Sequence, residues 1–223
     1  MLCVSREWKD AYPGAQFGIL AMNGVANPSR HNGLDRIKEE LQTDLRALFK
    51  DKSDTRSLEP IKEYQAYYKK FGNTYHVLQQ LESVLFKGKP IASVSALVEC
   101  MFIEELRNML LTAGHDLAAI EIPLTLDISK EGDHYTRING KDQTAKLGDM
   151  ILRDSVGIIS TVIYGPDLRT RLTSSTTRAL FTVYSMPGIG KQNVKQHLEG
   201  IARNVKIVAP EAYVELLEVH TAE

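Results

Sequence analysis

Residues 164–173, Tyr-Gly-Pro-Asp-Leu-Arg-Thr-Arg-Leu-Thr, set an acid, two arginines and hydroxyls between two apolar, strand-like runs at 156–163 and 179–184. A polar turn held between strands is where a binding or hydrolytic site can be built, because the strands fix the backbone while the turn carries reactive groups. Asp167 would hold a substrate ammonium or orient a water; otherwise it caps the turn or pairs with Arg169. Arg169 and Arg171 alternate along the chain, share one face and would take phosphates there, or else form a solvated strand face. Thr176 and Thr177 point to opposite faces, so at most one lines a pocket. His115, between Gly114 and Asp116, is a candidate general base near neutral pH; the competing role is packing at a helix end.

Composition narrows the chemistry. The 223 residues suffice for one large domain or two small ones and for a sizeable core. Balanced charge, 27 Lys and Arg against 28 Asp and Glu, excludes a generally polyanion-binding surface and leaves only a local basic patch for nucleic acid. Candidates for such a patch include Lys87, Lys89, Arg169 and Arg171. Two cysteines, Cys3 and Cys100, give no disulfide framework or zinc knuckle, and the six histidines show no metal spacing, so neither metal nor cofactor is expected. With no secretory leader and no long apolar run, the expected compartment is the cytoplasm, without a membrane partner. The stretch 186–192, Met-Pro-Gly-Ile-Gly-Lys-Gln, mimics a phosphate loop, but Ser185 stands where its first glycine belongs and Gln192 follows the lysine. Nucleotide hydrolysis is excluded on that ground.

The elements that must position these groups follow from periodicity. A buried strand at 16–23 precedes a loop and an amphipathic helix over 34–50, and 51–60 reads as a polar linker. Further helices carry the stripes Ile61, Tyr64, Tyr68, Phe71 and Val77, Leu78, Leu81, Leu85. A third, over 95–111, is apolar on more than one face and therefore central, with 112–116 ending it and Gly114 as its C-terminal cap. Strands are expected at 120–128, 134–138, 150–153, 157–164 and 180–185, then a helix carrying Val194, Leu198, Ile201 and Val205, then a strand over 212–219. The result is an α+β fold with a mostly antiparallel sheet packed against helices.

From Tyr64 onward this order of segments resembles the B3/B4 domain of the phenylalanyl-tRNA synthetase β subunit in a freestanding form. The likeness is carried by Tyr68-Lys69-Lys70-Phe71-Gly72, Leu81-Glu82-Ser83-Val84-Leu85, Lys87-Gly88-Lys89-Pro90-Ile91 and Ser95-Ala96-Leu97-Val98-Glu99. Gly114-His115-Asp116-Leu117, Gly148-Asp149-Met150-Ile151 with Asp154, and the run 173–180 complete it. The resemblance implies one B3/B4-like unit over 1–223, its core at 61–219, with the first 55 residues as a strand-helix extension packed on it or a dimer contact. It implies no aminoacylation, since the synthetase catalytic body is lacking.

What the resemblance implies about function is editing: a wrongly attached amino acid is cut from tRNA by a positioned water, with donors for the oxyanion and a pocket for the side chain. On that basis Asp167 and His115 would be catalytic. Phe102, Gly114, Tyr164, Gly165, Thr176 and Thr177 would contact substrate, and Arg169, Arg171, Lys87 and Lys89 would contact RNA. The family's pocket glutamate falls on Asp167, its helix asparagine on Phe102 and its pocket histidine near Ala113. These departures imply that a different amino acid is read. The expected partner is tRNA or aminoacyl-tRNA and not DNA. Two functions remain open: a trans-editing deacylase, or a non-catalytic module binding tRNA or a small molecule on the same fold.

Overall fold

The computed structural model describes residues 2–223. The chain begins with a strand β1 (Leu2–Val4), a helix α1 (Arg6–Ala11) and a long strand β2 (Gln16–Asn23). Five helices follow: α2 (Asn32–Leu48), α3 (Lys52–Ser57), α4 (Glu59–Lys70), α5 (His76–Phe86) and α6 (Ala96–Asn108). Then come β3 (Thr112–Asp116), β4 (Leu124–Ile128), β5 (His134–Thr136), β6 (Asp142–Thr144), β7 (Met150–Arg153), β8 (Ile158–Thr161), β9 (Gly165–Pro166) and β10 (Arg178–Ser185). Helix α7 (Lys191–Val208) and strand β11 (Tyr213–Thr221) close the chain.

The α+β class with antiparallel pairing is what the structure has. One sheet runs β1-β4-β7-β8-β9 and another β11-β2-β10-β3, with β5 and β6 as a separate hairpin; only the β1–β4 pair is parallel. Strand β2 is an inner strand, paired with β10 over its full length and with β11 on its other edge. It therefore belongs to the centre of its sheet, where every residue from Gln16 to Met22 is buried.

Helix α7 packs over β2 and β11, α6 packs on α7 and β3, and α2 lies outside α6. At the α6–α7 crossing a Cβ at Gly200 would collide with the Glu104 side chain, which would have to shift to admit it. Tyrosines of α4 tie the two sheets together. The Tyr64 hydroxyl donates to the Tyr184 carbonyl of β10, Tyr68 to the Val162 carbonyl after β8, and Tyr67 to Asp149 before β7. The Tyr67–Asp149 bond spans 2.5 Å, and burial pushes the Asp149 carboxyl up to about 6.

Several elements differ from expectation. The 51–60 linker holds α3 and the start of α4, because Asp51 and Asp54 form a reciprocal capping box that satisfies free backbone N–H groups. Residues 112–116 form a buried strand at the edge of the sheet, paired with β10, not a helix end, and Gly114 is no cap. Helix α6 stops at Asn108, with Met109 in the left-handed region at φ 59°. Side chains rather than a glycine receive the freed backbone there. Tyr75 donates to the Met109 carbonyl at 3.0 Å, the Leu111 N–H donates to the Tyr64 hydroxyl at 3.1 Å, and the Thr112 N–H donates to Glu105 Oε1 at 2.7 Å. Strands β1 and β6 and helix α1 were not foreseen. No described helix is long and apolar enough to cross a membrane.

Candidate functional site

A cavity of about 300 Å³ opens where α6, β3, the start of α5 and the β8–β9 turn meet. Helix α6 contributes Val98, Met101, Phe102 and Glu105; β3 contributes Thr112, Ala113 and Gly114; β9 contributes Gly165 and Pro166. Gly114 lets Leu172 and Met101 approach the strand closely: a Cβ there would stand 2.8 Å from Leu172 Cδ1 and 3.2 Å from Met101 Sδ, so both side chains would have to shift. The lining is dominated by hydrocarbon, with no lysine or arginine in it.

The start of α6 is well fixed. Asn27 accepts the Leu97 N–H at 2.9 Å and donates to the Thr173 carbonyl at 3.0 Å, joining the helix start to the turn before β10. Glu99 is fully buried, receives the Val94 N–H at 3.2 Å and pairs with Lys38 at 2.6 Å. Phe102 and Glu105 therefore project from a helix that is anchored at both ends.

Glu105 is the group that stands out chemically. It is 1 % exposed, its Oε1 receives Thr112, and its Oε2 has no hydrogen-bond partner among the described residues. Burial pushes its carboxyl up to about 8, with the Thr112 hydrogen bond opposing. At neutral pH it is mostly the neutral acid. His76, also in the lining, is held below the usual imidazole range by burial and contacts the Tyr68 hydroxyl at 3.2 Å.

A second cavity, of about 360 Å³, lies on the far side of His76 and Phe102, which line both. Its character is different: Gln79, Gln80, Ser83 and Lys89 line it, together with Pro90 and Ile91. The two chambers share one wall; both are lined mainly by hydrocarbon, and the second is the more polar of the two.

The residues expected from the sequence fall in four places. Phe102, Gly114 and Gly165 line the apolar cavity. Lys89 lines the polar one, and Lys87 is exposed in the same turn. Asp167, Arg169 and Arg171 line a separate open depression with His134 and Thr136. His115, Tyr164, Thr176 and Thr177 line neither chamber. Thr176 is buried and donates to Asp116 at 2.8 Å while receiving the Thr173 N–H, which is a turn-fastening role. Thr177 is exposed, and Tyr164 stacks under the Arg137 guanidinium at 5.5 Å.

Asp167 and His115 are brought together, but through an intermediary. Thr170 donates its hydroxyl to Asp167 and bonds His115 Nδ1 at 2.7 Å. His115 is fully buried, its Nε2 is unpartnered, and burial plus the nearby Arg169 charge lower it to about 3. It stays neutral across the physiological range and away from the cavity lining. Asp167 is raised by burial, opposed by its two Thr170 hydrogen bonds. Arg169 is committed to Asp154 at 2.8 Å and to the Ala119 carbonyl at 2.7 Å, so its charge is already used.

Glu105 was missed by sequence reasoning. The available signal was a pair of glutamates, Glu104 and Glu105, inside the helix that is apolar on more than one face. Among the described residues no cluster of three His, Cys, Asp or Glu side chains is arranged to hold a metal ion.

No protein-family model matches the sequence, and no curated protein matches it. Among solved structures, the chain is similar to an N-terminal fragment of the phenylalanyl-tRNA synthetase β-subunit from Pyrococcus horikoshii, at 11 % identity and a TM-score of 0.49. That alignment covers 98 % of this chain and 53 % of the fragment, so the chain spans about half the length of the structure it matches.

Proposed function

We propose that the chain binds a small organic molecule of amino-acid size, with the apolar part of the ligand in the cavity between α6, β3 and β9. The observation that carries this is the cavity itself: about 300 Å³, hydrocarbon-lined, with one carboxyl whose second oxygen is unpartnered. Ligand pockets have this make-up, an apolar wall with a few placed polar groups. A cavity of that size at the lower end of the usual range suits a single aromatic or branched side chain rather than a nucleotide.

A second reading, hydrolysis of aminoacyl-tRNA in trans, is favoured by one further observation. The adjoining chamber carries Gln79, Gln80, Ser83 and Lys89, with Lys87 in the same turn. In that reading the acyl group occupies the apolar chamber and the terminal nucleotide the polar one. The water would be placed by Glu105 or by the tRNA's own terminal hydroxyl, while Asp167, Thr170 and His115 hold the turn that supports the cavity.

Two measurements test these readings together. Methyl spectra of the protein are recorded with a panel of amino acids, amino-acid amides and apolar amines, following Met101 in the cavity wall. Single-turnover deacylation is then run with tRNAs carrying correct and incorrect amino acids, beside the Glu105→Gln and Asp167→Asn variants. Saturable shifts at Met101 support the binding site, and their absence across the panel overturns it. Release of one amino acid, slowed by Glu105→Gln, supports the deacylase. No release, with ligand binding intact, leaves the binding module. A deacylase slowed by Asp167→Asn with unchanged folding would restore Asp167 to the catalytic role expected from the sequence.

A further inference from the structure

The cavity floor carries a carboxyl group and nothing to balance it. Glu105 sits at the C-terminal end of α6 with Oε1 engaged by the Thr112 N–H and Oε2 unpartnered. The titratable groups around it are Tyr64 and Tyr68 of α4, Tyr75 just before α5, His76 of α5, Tyr184 of β10, and His197 of α7 beyond Thr112. The tyrosines are all raised and the two histidines both lowered by burial, so none carries charge near neutral pH. Near neutral pH and above, the formal charge that this lining develops is negative.

We infer that Glu105 anchors the ligand through a protonated amine, and that the site selects small organic amines with an apolar body and no free carboxylate. The inference rests on the reading of this cavity as a ligand site. An ammonium entering here pairs with the carboxylate once the proton held by Glu105 at neutral pH has gone to solvent, and the resulting neutral pair satisfies the orphaned oxygen. An anion meets a carboxyl group and neutral hydroxyl and imidazole side chains, with no lysine or arginine in the lining to receive it. A free amino acid brings both charges, and its carboxylate would be buried unpaired. An amine, or an amino acid whose carboxyl is masked as an amide or ester, brings only the charge that the cavity can match.

The geometry separates Glu105 from the other buried glutamates of α6. Glu99 is paired with Lys38 at 2.6 Å, and Glu104 receives Asn204 at 3.1 Å and Asn108 at 3.0 Å. Those two are satisfied by the protein, whereas Glu105 keeps one oxygen for something else. Its Thr112 contact is a helix-end role that a glutamine oxygen can also play, so the charge itself is not needed for that contact.

The test uses five probes of similar size: 2-phenylethylamine, phenylalaninamide, 2-phenylethanol, phenylacetate and phenylalanine. Each is titrated against the wild-type protein and Glu105→Gln, with the Met101 methyl as reporter. The two amines are expected to bind roughly ten- to a hundredfold tighter than the neutral alcohol, and phenylacetate and phenylalanine weaker than it. Glu105→Gln should keep the alcohol's affinity, which shows the cavity is intact, and lose the amine preference. The affinity of 2-phenylethylamine, which stays protonated over this range, should rise by up to about tenfold per pH unit between pH 6 and 8 as Glu105 gives up its proton, and be flat in the variant. If the alcohol binds but the amines bind no tighter, or if Glu105→Gln retains the preference, the inference falls while the cavity reading stands. If no probe shifts Met101, both fall.

Discussion

Glu105→Gln should change how stability depends on pH. In the folded chain burial raises this carboxyl from its ordinary 4.5 to about 8. Below pH 4.5 both folded and unfolded chains hold the proton, and the group contributes nothing to the balance. As pH rises above that, the unfolded chain ionises first and is favoured, so wild-type stability is lost at about 1.4 kcal/mol per pH unit until the folded group also ionises. By pH 7 the accumulated loss is roughly 3 kcal/mol, and above pH 8 it levels near roughly 5 kcal/mol. The amide cannot ionise and escapes this loss. Its N–H groups replace an unpartnered oxygen and cost a further amount that does not vary with pH. The stability difference between variant and wild type should therefore swing in favour of the variant by roughly 3 kcal/mol between pH 4.5 and pH 7. Asp149 is raised in the same direction, to about 6, but is present in both proteins and cancels. Urea unfolding at pH 4.5, 5.5, 6.5 and 7.5 reads the swing, followed by far-UV dichroism and by fluorescence of the buried Trp8. A difference that is flat with pH would refute the reasoning, because it would mean that Glu105 is ionised in a hydrated site.

Three other perturbations follow from the same geometry. Thr170→Val removes the hydroxyl joining Asp167 to His115 and should cost about 2 kcal/mol, lowering Tm by roughly 4–8 °C in calorimetry with ligand affinity unchanged. Gly114→Val thrusts carbon at Leu172 and Met101; it should destabilise by about 1–3 kcal/mol and abolish probe binding by titration. Lys38→Met leaves Glu99 buried without its cation and should cost about 3–5 kcal/mol in urea unfolding at pH 7, with Lys38→Met/Glu99→Leu recovering most of the loss.

The backbone of the fold was legible wherever an element buries a regular stripe. The strand at 16–23, the stripes of α2, α4 and α5, and the strands near 150 and 180 announce themselves because each repeats apolar residues at its own period. What was not legible depends on partners distant in sequence. The stretch 112–116 reads as a helix exit from its own residues. It becomes a strand because β10 pairs with it from Ala179 to Val183, and because Tyr64, Tyr75 and Glu105 receive the end of α6. The candidate site was legible in part for the same reason. Phe102, Gly114 and Gly165 are in the cavity wall, placed by their neighbours in their own elements. Asp167 is a polar residue at a turn and His115 one within β3, and nothing local distinguishes a side chain facing a cavity from one bonded to Thr170. Glu105 is the converse: its place inside an apolar helix is visible, but its unpartnered oxygen is a property of three other elements.

The three buried glutamates of α6 pose one physical question with two kinds of answer. Burying a carboxyl is costly unless its oxygens are matched, and a fold under no other demand matches them. Lys38 was brought from α2 for Glu99, and asparagines from α6 and α7 serve Glu104. For Glu105 no such partner is supplied: one oxygen receives the Thr112 N–H and the other is buried without a hydrogen bond among the described residues. A residue kept only to receive the Thr112 N–H would be served equally by glutamine, without the pH-dependent loss of stability worked out above. The unpartnered oxygen of Glu105 is the feature that the proposed amine would satisfy, and the pH dependence of stability and of amine binding are two independent readings of the same carboxyl.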